Sequence, residues 1–251
     1  MTAELFWRPF PILALTVRQF LGGKAIRVVV ALSLIPCAFA GIYLLNRDVA
    51  TAEEFLFDAI FLNLMAPTLL PILVLILATA ALGNEVEDRT LPYLTLKPIS
   101  RLRIVLEKLA GILVVVIPAV SAGLALTYLL VVGSDLGQST RLLWSMLAAS
   151  ALGAIASASI FLAVSLIIPR ALLTGIIYTF VWESLLGRFL PGVRVVSVRH
   201  YTQSIFVQLF DEPSVTIANV TSLRASLQTV LGIVIVSVAV ATWRLRRMNL
   251  E

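Results

Sequence analysis

The stretch Leu142–Trp182 reads LLWSMLAASALGAIASASIFLAVSLIIPRALLTGIIYTFVW, 41 residues whose single charge, Arg170, directly follows Pro169. A helix rises 1.5 Å per residue and a bilayer's hydrocarbon core is about 30 Å thick, so roughly 20 apolar residues make one crossing. Forty-one is too many for one crossing and the right length for two. Proline interrupts a helix and arginine seeks water, so the stretch divides at Pro169–Arg170. It predicts a tight helical hairpin with spans at 142–168 and 171–187.

On either side of this hairpin, further apolar blocks run over 28–45, closed by Asn46-Arg47-Asp48, over 60–82, over 109–132, and over 225–242, closed by Arg244, Arg246 and Arg247. The reading is an all-α membrane protein of six transmembrane helices, forming a single domain over 1–251. Composition agrees: 60% of the residues are apolar and 13% charged, against about half and a quarter in soluble domains. The mean hydropathy is +1.01. These figures exclude an ordinary soluble enzyme and a disordered chain. One cysteine, Cys37, and one histidine, His200, exclude an intrachain disulfide, a cysteine metal cluster and multi-histidine chemistry.

The net charge of +5 is a matter of orientation and does not point to nucleic acid. With six spans both termini share one side, and that side carries 13 of the 19 basic residues. By the positive-inside rule both termini are cytoplasmic. Ahead of the first span, 5–21 mixes apolar residues with Arg8, Arg18 and Gln19, and Gly22–Gly23 breaks it from that span. This predicts an amphipathic helix lying in the cytoplasmic interface; a plain tail is the alternative. Glu4, Pro9 and Pro11 argue against a signal peptide.

The long polar stretch on the cytoplasmic side is 83–108. Four acids, five bases and two prolines fall within 26 residues, among apolar Leu91, Tyr93, Leu94 and Leu96. The pattern predicts a short amphipathic helix ending before Pro98, with Ser100 capping the next helix. A solvated loop has no need of apolar residues among its charges, so we read a docking surface for a partner protein.

The order Glu85-x-Glu87-x-x-Thr90-Leu91-x-x-Leu94, then Pro98-Ile99-Ser100-Arg101 and Lys108, resembles the signature of the ABC-two type permeases, membrane subunits of one class of ATP-binding-cassette exporters. The motif covers about a tenth of the chain, while the six spans and the leading interfacial helix match the family over nearly all of it. The resemblance implies that 83–108 is a coupling helix seated in a groove of a cytosolic ATPase. Glu85, Glu87, Thr90, Leu91 and Leu94 would transmit the coupling, and Pro98, Arg101 and Lys108 would shape the re-entry into the membrane. It further implies two ATPase copies, a second permease subunit (identical or a paralogue), and a plasma (inner) membrane whose lipid surrounds the spans. Arg89 departs from the pattern, since many members carry glycine before the threonine.

A P-loop needs Gly-x-x-x-x-Gly-Lys followed by a hydroxyl residue, and Gly22-Gly23-Lys24-Ala25 lacks the first glycine and the hydroxyl. The chain is therefore expected to be no enzyme and to carry no cofactor, with ATP and Mg bound by the partner ATPase.

Within the spans, Ser145, Ala149, Gly153 and Ser157 recur at every fourth position, as do Ala119, Gly123 and Thr127. Such stripes allow close helix packing; a polar lining for a substrate path is the other reading, supported by Ser159 and Ser165. Pro67 and Pro71 are expected to kink span two. Glu183, after Tyr178 and Trp182, is either a buried functional carboxylate or already at the outer headgroups; these three residues are candidates for the translocation path or outer gate. The segment 188–223 predicts short outer-face helices, with His200 as an interfacial residue. Two rivals to the exporter remain: an ATP-independent transporter or channel using Glu183 as an ion or proton site, which calls for paired charges or an internal repeat, and an intramembrane enzyme, for which the spans offer little chemistry.

Overall fold

The computed structural model describes residues 10–45, 51–87, 99–133, 140–168, 171–177, 197–212 and 219–248. Eight helical stretches carry the fold: α1 (Pro11–Gly22), α2 (Lys24–Leu45), α3 (Ala52–Gly83), α4 (Arg101–Val132), α5 (Thr140–Ile167), α6 (Ala171–Ile177), α7 (Val198–Phe210) and α8 (Leu223–Arg247). Five of them, α2, α3, α4, α5 and α8, are long and apolar enough to cross a membrane. The expected span 171–187 is described over Ala171–Ile177 alone; its remainder, with Tyr178, Trp182 and Glu183, lies outside the described residues.

All five long helices begin before their apolar blocks, three of them by four residues or more. α2 starts at Lys24, α3 at Ala52 and α4 at Arg101, where hydropathy predicts 28, 60 and 109. Hydropathy marks where hydrocarbon begins, whereas backbone hydrogen bonding continues through charged turns beyond it. The starts are chemically marked: Thr51 Oγ1 accepts the Glu54 N–H at 3.2 Å and Ser100 Oγ the Arg103 N–H at 3.3 Å. These are side-chain N-caps. Residues 101–108 are thus the first turns of α4, as the expected Ser100 cap implies.

α5 is the hub, packed against α3, α4, α6, α7 and α8. Its stripe Ser145, Ala149, Gly153 and Ser157 is buried. Ser145, Ser159 and Ser165 donate to carbonyls of their own helix at 2.7, 2.8 and 2.9 Å, and the burial of the stripe favours packing. A Cβ on Gly153 would come within 2.5 Å of Thr202 Oγ1 on α7, and one on Gly175 would collide with Leu75 Cδ1 on α3.

α2 is interrupted at Leu34, because Pro36 offers no N–H to the helix. The Cys37 N–H turns to the Leu34 carbonyl at 3.0 Å, and the Ser33 carbonyl, relieved of that donor, faces α4 where a Cβ on Gly123 would overlap it. In α3, Pro67 is accommodated by a wider turn. Phe55–Leu69 and Thr79–Gly83 are π-helical around an α-helical Leu70–Ala78, and the Leu70 N–H reaches back five residues to the Met65 carbonyl.

The helices share two common ends. At one, Gly83 stands beside Ser165 and Arg244 Nε donates to the Leu166 carbonyl at 3.4 Å. At the other, Arg141 Nε donates to the Leu209 carbonyl at 3.1 Å, and the Thr221 N–H to Ser204 Oγ at 3.3 Å. α5 and α8 therefore run parallel. His200 pairs with the Thr221 hydroxyl at 3.0 Å. The other end carries Arg18, Lys24, Arg27, Arg101, Arg103, Arg244, Arg246 and Arg247, with Arg247 over the Trp243 ring.

Gly123→Ala is expected to lower stability by about 1–3 kcal/mol, because the methyl meets a backbone carbonyl that cannot step aside. Gly232→Ala on α8, which meets nothing within 4 Å, should be neutral or stabilising by up to about 1 kcal/mol. Thermal unfolding of the two variants in the same detergent checks this.

Candidate functional site

At the basic end, α3 finishes in the turn Asn84–Glu87 and α4 begins at Arg101. Two adjacent residues on α4, Glu107 and Lys108, are 4% and 0% exposed. Successive positions on a helix point about 100° apart, so the pair faces two different neighbours.

Lys108 faces α3. Its Nζ donates to the Ala81 carbonyl at 2.8 Å and to Glu85 Oε1 at 2.5 Å. Ala81 belongs to the last π turn of α3, which continues into the turn Asn84–Glu87, so the ammonium lies toward the carboxyl-terminal, negative side of that helix's dipole. The Glu85 carboxylate supplies the countercharge that so buried an ammonium requires.

Glu107 faces α1. Its Oε2 accepts the N–H groups of Ile12 and Leu13 at 2.9 and 3.1 Å, while Oε1 accepts Arg103 Nε at 2.6 Å. α1 has no side-chain cap of its own, and Pro11 stands in its first turn. A carboxylate from another helix therefore supplies its N-cap, with the favourable dipole sign. One turn further along, Thr16 packs onto Gly111, where a Cβ would lie 2.9 Å from Thr16 Cγ2. Ile12, Thr16 and Phe20 form the buried stripe of α1. A groove of about 440 Å³ opens beside this junction, lined by Phe10, Leu13, Leu102, Leu106 and Ala110 together with Ser100, Arg103 and Glu107.

The motif residues divide accordingly. Glu85 and Lys108 are brought together directly, and Arg101 opens α4, half-buried. Glu87 belongs to the turn Asn84–Glu87. Thr90, Leu91, Leu94 and Pro98 lie outside the described residues. Sequence reading missed Glu107 and Arg103. Their i, i+4 spacing on one helix was a legible signal for the pair itself, but not for the α1 amides it serves.

The chain matches the family model described as "ABC-2 family transporter protein" over residues 23–185. It belongs to the ABC-2 transporter family. The match takes in α2 to α6 and the whole junction of Glu85 with Lys108, leaving α1, α7 and α8 outside it. No curated protein matches the chain. This ABC-2 chain is accordingly a multi-pass membrane protein and an ABC transporter permease, the membrane component of a transport system, and permeases of this family generally partner with an ATPase subunit.

Lys108→Met should destabilise this permease by about 3–5 kcal/mol, because it breaks a buried ion pair by removing one member. Lys108→Met/Glu85→Leu should recover most of that loss, since apolar pairs replace buried ion pairs at little cost. Melting of both variants in detergent, relative to the parent, measures it.

Proposed function

We propose that this permease is half of an ATP-driven exporter, with a cytosolic ATPase docking on 83–108. The observation that carries this reading is the joint recruitment of three helices at the start of α4. Glu85 of the docking segment, the end of α3 and the N-terminus of α1 are all bound through Glu107 and Lys108. A push on the segment is therefore delivered to α1, α3 and α4 together. On this reading Glu85, Glu87, Thr90, Leu91 and Leu94 meet the ATPase, and Pro98, Arg101 and Lys108 set the re-entry. ATP and Mg bind the partner, in two copies, and two permease subunits complete the path in the plasma (inner) membrane. We assign Tyr178, Trp182 and Glu183 to that path or its outer gate.

The topology we favour has six crossings and cytoplasmic termini. The parallel course of α5 and α8 supports the sixth crossing: Ile168 ends at the Arg244 side, and Ser197 opens α7, whose far end meets Arg141. The arginines and lysines gathered at the α1 end support its cytoplasmic placement. In a Cys37→Ser background, a membrane-impermeant maleimide added to intact cells should label Gln208→Cys, and should reach Lys24→Cys and Arg246→Cys only after lysis. The reverse pattern would reject this orientation, and labelling of all three sites in intact cells would reject the shared side.

For the coupling itself, tagged permease is captured from its native membrane and the eluate assayed for ATP hydrolysis. A P-loop protein should co-elute with the parent and be lost or uncoupled with Glu87→Arg. An intact permease eluting alone would overturn the exporter reading and favour the ATP-independent class.

A further inference from the structure

α7 lies against the first π-helical stretch of α3. Phe61 and Phe57 of α3 meet Phe206 and Phe210 of α7, with ring centroids 4.4 and 6.2 Å apart. Between the two helices Gln203, itself buried, donates from Nε2 to the Leu62 carbonyl at 2.7 Å. Chain chemistry explains why that carbonyl needs an outside donor. In a five-residue ladder the Leu62 carbonyl is due the N–H of residue 67, and residue 67 is proline. An unpaired carbonyl in an apolar interior is costly, and Gln203 removes the deficit.

We propose that Gln203 is a positioning residue that fixes the register of α7 on α3, so that the two helices travel as one unit during transport. The aromatic contacts draw the helices together, but apolar attraction is non-directional and tolerates sliding. A hydrogen bond of fixed length to one particular carbonyl does not. The neighbouring buried polar side chains of α7 are committed elsewhere: Thr202 donates to the Val198 carbonyl of its own helix at 3.0 Å, and Ser204 accepts the Thr221 N–H. α3 is thus held through two of its own carbonyls, each within a π-helical stretch, Leu62 by Gln203 and Ala81 by Lys108. Displacement of α3 at the Lys108 end arrives at the opposite end as displacement of α7, whatever drives it.

The test uses the full chain in lipid nanodiscs, without nucleotide, carrying spin labels at the exposed positions Glu54 and Gln208 in a Cys37→Ser background. The parent should give one narrow distance distribution between α3 and α7. Gln203→Leu should broaden or shift it, and speed hydrogen exchange across Phe55–Leu69 on the order of tenfold. The deciding variant is Gln203→Leu/Pro67→Ala, in which residue 67 regains the N–H that the Leu62 carbonyl lacks. It should melt and exchange like the parent while its distance distribution stays broad. A narrow, parent-like distribution in the double variant would overturn the proposal, because Gln203 would then only supply a missing donor. A double variant that fails to recover the parent's melting would overturn it too, since the proline deficit would not be what Gln203 answers.

Discussion

Two opposite charges on consecutive residues of α4, each buried and each answered by a different helix, are the constraint on which this end of the molecule depends. A charge removed from water demands a partner of opposite sign and a full set of hydrogen bonds. Glu107 finds a positive helix N-terminus and an arginine; Lys108 finds a carbonyl on the negative side of the α3 dipole and a carboxylate. Helix dipoles and side-chain charges therefore agree in sign at both contacts. α1, α3 and α4 cannot slide past one another here without exposing a charge to an apolar surround, so the demands of the ions set the register of the three helices.

The same logic, applied to uncharged backbone, governs the rest of the bundle. Where water is scarce every peptide group needs a partner, and each proline subtracts one donor. The deficits are met in different ways. Near Pro36, α2 breaks at Leu34 and turns the Ser33 carbonyl toward Gly123. Near Pro67, α3 widens into a π helix and borrows an amide from Gln203. Both solutions bind one helix to another at the proline, so residues that weaken a helix in isolation create tertiary contacts. The small residues make this possible: Gly111, Gly123 and Gly153 each stand where a methyl group would strike a neighbouring helix.

Part of the surroundings of α4's start was legible because its chemistry is local. Ser100 caps α4, as its position in the sequence predicts, and Glu85 and Lys108 of the motif are in contact. The stripe on α5 was ambiguous in sequence, because serine at helical spacing suits both packing and a polar lining; its burial and the close approach of Thr202 to Gly153 favour packing. Glu107 was hidden, since its partners are backbone amides 94 and 95 residues away and amides carry no sequence signature. Gln203 was hidden for the same reason, reaching a carbonyl 141 residues distant.

The class of molecule, the places where hydrocarbon begins and the side on which basic charge gathers are all legible in the linear chain, because they follow from composition summed over windows of about 20 residues. So are the points where helices are weakened, since proline lacks a donor wherever it stands. Packing of the folded chain was needed to settle how far the helices extend beyond the apolar blocks, that α3 widens at Pro67, and which side chain from elsewhere answers each orphaned peptide group. Those outcomes depend on distances between residues remote in the chain. A pattern along one stretch of sequence does not hold that information; two helices brought into contact do.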